Sequence, residues 1–246
     1  MINTHRHEGY VHLVISRPEK KNALTRDMYE SLGHAVEEAA ADESIHAILI
    51  SGEGDVFTAG NDLDDFRARA TDANPRPSSG LAFIEVLMNC DTPVLAAVEG
   101  LAIGIGTTML LHCDAVIAGR SAKFKTAFID LGLVPEAAST VTMPLHLGAR
   151  KAAEHLLLGE VFDGERASEC GLITRAVDDG QALAEAGRLA ANLATKPREA
   201  LRASKRLMRA PWQESIQAAL ERERAVFAER LRSDDCQSAL AAMQRR

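Results

Sequence analysis

The stretch that decides the fold class is Asp91–Gly106, DTPVLAAVEGLAIGIG. Pro93 to Val98 are apolar without the alternation of a half-wetted strand, so they read as a strand covered on both faces. Gly100, Gly104 and Gly106 follow at once, and a helix then fits the pattern to about His112. Such a turn lets backbone approach a ligand closely and leaves the first helical N–H groups unpaired. The plainer reading of the same glycines is close packing of helix on strand.

On either side the same unit recurs. Tyr10–Ser16, Ile45–Ser51 and Ala115–Ala118 read as strands, and Leu81–Asn89 as a helix. Asp27–Ala41 reads as a helix with Met28, Leu32, Ala35, Val36 and Ala39 on one face. Strand–helix repetition with apolar strands predicts parallel crossovers and an α/β fold. Residues 71–80, TDANPRPSSG, carry two prolines and read as an exposed, mobile loop. Beyond about residue 135 the pattern is helical: Glu136–Leu145, Ala149–Leu158, Gly164–Glu169, Gln181–Ala194, Arg198–Met208 and Gln213–Leu231, with only Leu172–Val177 strand-like. An α/β core followed by a helical tail is the expectation.

Composition bounds the function. The chain has 246 residues, 28 basic and 35 acidic, for a net charge of −7; 46% are apolar. That hydrophobicity excludes wholesale disorder, and the length suffices for one large core. The acidic balance argues against general nucleic-acid binding, which needs a basic footprint. The apolar run Val94–Leu111 is broken by Glu99 and three glycines, so it is no clean membrane span. The opening MINTHRHEGY lacks the apolar core of a signal peptide. Four scattered cysteines without a CxxC pair suit a reducing compartment, hence a cytoplasmic location. No phosphate-binding GxxxxGK loop, GxSxG elbow or HExxH zinc helix occurs, and no metal site is expected. His5 and His7 are the one close histidine pair, in what reads as a frayed terminus.

Three segments carry candidate chemistry. In Phe57–Leu63, FTAGNDL, small residues follow a buried strand and a helix starts at about Asp62. Amides at such a helix start favour negative charge, although an ordinary turn capped by Asn61 or Asp62 explains the same residues. The second segment is the glycine-rich turn already quoted. Two such turns on adjacent strands could aim two N–H donors at one oxygen, an oxyanion hole. The third is Asp130–Ala138, DLGLVPEAA, where Pro135 fits the first turn of a helix and Glu136 would follow within it. A carboxylate there is commonplace at a helix dipole, but facing an apolar pocket it would become a useful general base.

These segments, in this order and spacing, resemble the crotonase (enoyl-CoA hydratase/isomerase) superfamily. Ser16-Arg17-Pro18 with Asn22-Ala23-Leu24 is similar to its N-terminal motif, His112–Ala118 to its CD-x-x-IA strand, and Gly164–Val177 to its downstream A-x-x-x-GLV stretch. The resemblance covers nearly the whole chain. It implies a crotonase-like spiral of repeated ββα units over residues 1–190 and a C-terminal helical region over 191–246 that serves trimerisation and covers the ligand. It implies acyl-coenzyme A thioesters as ligands, with no cofactor beyond the coenzyme A of the substrate, and a homotrimer or hexamer. It places oxyanion N–H donors at Asn61 and Ile105, and CoA contacts at Arg17 (near the phosphates), Ala23, Thr58, Ala59, Gly60, Asp62 and Leu63. Thr108, Phe128 and Leu133 fall in the implied acyl pocket, to which Gly80–Cys90 contributes.

Hydratases of this family use two glutamates, at positions where this chain has Thr108 and Phe128. Glu136 instead occupies the position of the single base of Δ3,Δ2-enoyl-CoA isomerases, and that activity is the expectation. A hydratase pairing Glu136 with Asp65 or Asp130 is the alternative enzyme. A non-catalytic acyl-CoA- or RNA-binding homologue is the alternative outside catalysis. Lys196–Ala210 holds six basic residues against Glu199, which fits CoA phosphates, RNA or, more plainly, a solvated helix face.

Overall fold

Ala47–Gly52 (β3) and Val94–Val98 (β4) are buried along their length, as unbroken apolar runs require of strands at the centre of a sheet. They lie side by side in a six-stranded sheet of order β1-β2-β3-β4-β6-β9, with Ile2–His7 (β1), Tyr10–Ile15 (β2), Ala115–Gly119 (β6) and Arg175–Val177 (β9). β1 pairs antiparallel with β2, and every other neighbour pairs in parallel. A second sheet packs Leu101–Ile103 (β5), Lys123–Lys125 (β7) and Phe162–Asp163 (β8). The helices are Arg26–Ala41 (α1), Leu63–Thr71 (α2), Ser79–Asn89 (α3), Ile105–Thr108 (α4), Ser139–Leu147 (α5), Ala149–Leu156 (α6), Gly164–Cys170 (α7), Ala182–Ala194 (α8), Arg198–Arg209 (α9), Gln213–Leu231 (α10) and Asp234–Met243 (α11). This computed structural model describes residues 1–71 and 77–243, so half of the loop expected at 71–80, residues 72–76, lies outside the described residues.

Side chains alternate across the main sheet and bury both faces. Leu13, Ile48, Ile50, Ala96 and Val98 face one core with Met28, Leu32 and Val36 of α1 and Ile84 and Leu87 of α3. Ala47, Leu49, Leu95, Ala97 and Ile117 face the other, against Ala182, Ala186 and Ala190 of α8. Alanine every fourth residue brings α8 down onto the strands. A third cluster joins Phe66 of α2, Phe128, Leu133, and Phe227, Leu231, Cys236 and Leu240 of α10 and α11. The C-terminal helices therefore pack onto the segment that leads to Glu136.

Several expectations change. The N-terminus is not frayed: β1 pairs along its whole length, placing His5 opposite His12 and His7 opposite Tyr10. The glycine-rich turn contains a strand, β5, before a single helical turn, α4, and a 3-10 turn over Met109–His112. The basic stretch 196–210 is not simply a solvated face: Lys196 and Arg206 are exposed, but Arg198, Arg202, Lys205 and Arg209 point inward. Arg198 donates to the carbonyls of Ala40 and Asp42 at the end of α1, and Arg209 to those of Leu87, Met88, Cys90 and His112. Lys205 is buried, donating to Thr92 O at 2.8 Å and pairing with Asp114 at 2.5 Å. Cations thus satisfy the open carbonyl ends of three helical segments, where the dipole favours them. The exposed side of α9 carries Leu207 and Met208.

Removing the Arg209 guanidinium leaves those carbonyl ends unpaired and Asp114 short of a partner. Arg209→Ala should cost about 2–3 kcal/mol in chemical denaturation, and Arg209→Lys should recover only part of it. Stability should also depend on acid pH. Burial holds His12, His112 and His155 at a pKa of about 4, below their ordinary 6.5. Between those values the unfolded chain takes up protons that the folded chain refuses. Stability should be level above about pH 6.5 and fall as pH drops towards 4, by up to about 1.4 kcal/mol per pH unit for each histidine. A urea series across that window reads the slope.

Candidate active site

The backbone around Gly60 is held from two sides. On one side Ala59 N–H donates to Lys21 O at 2.9 Å, Leu24 N–H to Gly60 O at 2.8 Å and Asp62 N–H to Leu24 O at 2.9 Å. On the other, Thr58 N–H donates to Leu101 O at 2.9 Å and Ile103 N–H to Thr58 O at 3.1 Å. Because Gly60 O and Asp62 N–H both face Leu24, the intervening Asn61 N–H points away from it, towards the turn after β5. Gly60 must be glycine: its φ is +90°, and a Cβ would lie 2.6 Å from Ile103 O. Asn22, fully buried, knots the arrangement. Its amide donates to Glu53 O and Val56 O, and its side-chain oxygen accepts Arg17 N–H.

At the second turn Gly104 takes φ +58° and ψ −121°, open to glycine alone. Its N–H donates to Lys125 O at 2.7 Å, while its carbonyl accepts the Thr107 and Thr108 amides. Ile105 begins α4, so its N–H has no intrahelical partner. Among the described residues neither the Asn61 nor the Ile105 N–H meets a protein acceptor. Gly106 lies under Thr58, whose Cγ2 a Cβ would approach to 2.6 Å, so the two turns are in direct contact.

Glu136 is 3% exposed. It does not stand in a helix as the sequence suggested, because α5 starts only at Ser139. Ala137 and Ala138 come between, both left-handed, with φ of 64° and 56°. Two consecutive alanines in that region carry about 1–2 kcal/mol of strain each. His112 Nε2 donates to Ala137 O at 2.8 Å, and Glu223 of α10 accepts the Ala138 N–H at 2.6 Å.

Tyr29 joins the pieces. It is buried, its hydroxyl donates to Asn61 Oδ1 at 2.7 Å, and its ring lies against the start of α3, where a Cβ on Gly80 would meet Tyr29 Cζ at 3.4 Å and Ile105 Cδ1 at 3.0 Å. Burial, and next the nearby charge of Glu136, raise its pKa well above the ordinary tyrosine value, so it stays a donor. The first two turns are thus in contact, and the charge of Glu136 reaches Tyr29; a cavity of about 470 Å³ borders the first turn, lined by Leu24, Tyr29, Asn61, Asp65, Phe66 and Gly80 among others.

The other candidates divide. Arg17 is committed to Asp62, at 2.6 Å, and to Ala23 O; Asp62 in turn caps α2 through Asp64 and Asp65 N–H. With Thr58, Ala59 and Gly60 they form one ledge, from which Leu63 projects into solvent. Phe128 and Leu133 pack in the cluster with α10 and α11, and buried Thr108 has no partner for its hydroxyl among the described residues. Asp130 pairs with Lys125 at 2.5 Å, whereas Asp65 borders the cavity. Phe83 is plain core beside Tyr29, and Met88 borders a different cavity with Trp212 and Ile216. Sequence reasoning missed Tyr29 and Glu223. An aromatic hydroxyl beside the apolar face of α1 was a signal for the first; nothing local marked the second. Among the described residues no group of three metal-ligating side chains is gathered, and no helix is long and apolar enough to cross a membrane.

Comparison with known proteins bears on the family and the fold. A family model described as enoyl-CoA hydratase/isomerase matches residues 5–246. Over 203 residues the chain is 36% identical to 1,2-epoxyphenylacetyl-CoA isomerase of Escherichia coli, covering 80% of this chain and 77% of that one. Over 242 residues it is 33% identical to human enoyl-CoA delta isomerase 2, covering 95% of this chain but only 60% of that one. The 2,3-dehydroadipyl-CoA hydratase of Escherichia coli is 32% identical over 220 residues, 87% of this chain and 84% of that one. Among solved structures, Pseudomonas aeruginosa OdaA superposes with a TM-score of 0.94 at 42% identity, covering 100% of this chain and 99% of that one. Family model, relatives and fold together show that the chain is an enzyme of the enoyl-CoA hydratase/isomerase family.

Proposed function

We propose that the enzyme is a Δ3,Δ2-enoyl-CoA isomerase that works with one carboxylate. The observation that carries this reading is the place of Glu136, buried with its charge acting on Tyr29, whose hydroxyl donates to Asn61. Among the described residues three carboxylates are buried: Asp62, Glu136 and Glu223. Asp62 is tied to Arg17 and caps α2, and Glu223 is bound to the Ala138 and Thr140 amides. The charge of Glu136 reaches Tyr29, whose hydroxyl touches Asn61. Where hydratases of the family place glutamates, this chain has a threonine and a phenylalanine, neither of which can activate water.

In the proposed reaction Glu136 takes a proton from C2 of a 3-enoyl-CoA. Negative charge moves onto the thioester oxygen, which the Asn61 and Ile105 N–H groups receive. Glu136 then returns the proton to C4, and the double bond has moved from C3 to C2. The amides lie on turns locked by their neighbours, so they need no reorganisation as charge develops. Tyr29, held protonated, occupies Asn61 Oδ1 and leaves the Asn61 amide nitrogen turned the other way.

Assaying one preparation with a 3-enoyl-CoA and with a trans-2-enoyl-CoA in water tests the reading. Isomerisation should dominate, and Glu136→Gln should lower it roughly 100- to 10,000-fold. Rapid hydration would overturn the single-base reading and point to a second carboxylate such as Asp65, which borders the cavity beside Asn61. Tyr29→Phe keeps the ring but frees Asn61. It should cost about tenfold in kcat and lower stability by about 1 kcal/mol, the worth of one hydrogen bond.

A further inference from the structure

Left-handed alanines persist only where their surroundings over-determine them. At 137–138 the surroundings are two long-range clamps. His112, at the end of the 3-10 turn after α4, donates to Ala137 O. Burial keeps it neutral, with a pKa pushed down to about 4, so Nε2 stays a single-proton donor to that carbonyl. Glu223, 6% exposed, uses both oxygens: Oε2 accepts the Ala138 N–H at 2.6 Å, and Oε1 accepts the Thr140 N–H at 2.8 Å and the Thr140 hydroxyl at 2.5 Å.

The bonds to Glu223 do for α5 what its own N-cap cannot. Ala138 occupies that position and offers no side-chain acceptor, so a carboxylate from α10 takes the first amides and lies at the positive end of the helix. Capping alone does not account for the rest of the grip. One to two turns further along α10, Arg230 donates to Gly132 O at 3.1 Å and Phe227 and Leu231 pack with Phe128 and Leu133. One helix thus holds the chain on both sides of Glu136, at 132–133 before it and at 138–140 after it.

We infer that Glu223 is a positioning residue for Glu136: by clamping the Ala138 and Thr140 amides from α10 it locks the left-handed turn that aims the base, which makes the C-terminal helix part of the catalytic apparatus. The inference rests on the reading of Glu136 as the base.

The test uses the full chain and three readouts: kcat and KM on a 3-enoyl-CoA, deuterium uptake from D2O at C2 of the same substrate, and the thermal melt. Glu223→Gln keeps the shape but sets an NH2 group against N–H donors. It should lower kcat and C2 exchange together, roughly 10- to 100-fold, with KM within about twofold, the signature of a misplaced base rather than a lost binding contact. Glu223→Asp, which keeps the charge one methylene short, should fall between. A folded Glu223→Gln with a lower melt and the wild-type kcat would overturn the inference and reduce Glu223 to a helix cap. If that variant does not fold, Thr140→Val, which removes one of the three donors, decides: a several-fold loss of kcat supports the inference, and an unchanged kcat overturns it. A wild type that exchanges C2 protons without moving the double bond defeats the isomerase reading alone, and Glu223→Gln should then slow that exchange by the same factor. A wild type without C2 exchange removes the base, and the inference with it.

Discussion

Buried backbone must find partners, and the arrangement of this site follows from how the chain meets that demand while sparing two amides. Residues 58–62 lie between 21–24 and 101–103, so nearly every polar backbone group there is taken by a neighbour. The exceptions come from geometry. Asn61 N–H faces the side on which β5 has already turned away, and Ile105 N–H is the first of a helix. Both turn on glycines that no other residue can replace without a collision, Gly60 against Ile103 and Gly106 against Thr58. A fixed pair of donors costs stability in the empty enzyme, and that cost is spread over the surrounding ladder.

Asn22 shows how such a ladder is registered. One side chain, with no exposure, reaches Glu53, Val56 and the Arg17 amide, while its own carbonyl accepts the Thr58 hydroxyl. It therefore joins the end of β2 to the loop after β3 and to the turn at 58–62, three parts of the chain distant in sequence. Lys21 and Asn22 both take positive φ, a further local strain that the surrounding hydrogen bonds hold in place. The ion pair of Arg17 with Asp62 completes the ledge, so the guanidinium expected near CoA phosphates already serves the fold.

The sequence was legible where a pattern is repeated over many residues. The strands at the centre of the sheet and α1, α3, α8, α9 and α10 lie within a few residues of their expected places, because apolar periodicity is a sum over many side chains. Elements made by pairing alone were not legible. β1 carries INTHRH, with no apolar face, and exists because β2 offers it an edge. β5, β7 and β8 are two or three residues long and are defined by each other. The basic stretch on α9 misled for a related reason. Charge on a helix suggests solvent, and only the tertiary arrangement shows that three helical segments end beneath it with their carbonyls open.

Glu136 marks the same boundary within the site. Pro135 beside a run of alanines favours a helix locally, and alanine is the best helix former. The chain nonetheless holds Ala137 and Ala138 in the left-handed region, against their own preference. Local preference lost here because the competing interactions come from residues 25 and 85 positions away: His112 on one side and Glu223 on the other. A helix starting at Pro135 would have capped itself and turned the carboxylate with its own backbone. The strained turn instead separates the direction of Glu136 from the axis of α5. A site that needs a base at one fixed angle gains from that separation, and a conflict between local propensity and observed backbone is where such a need shows.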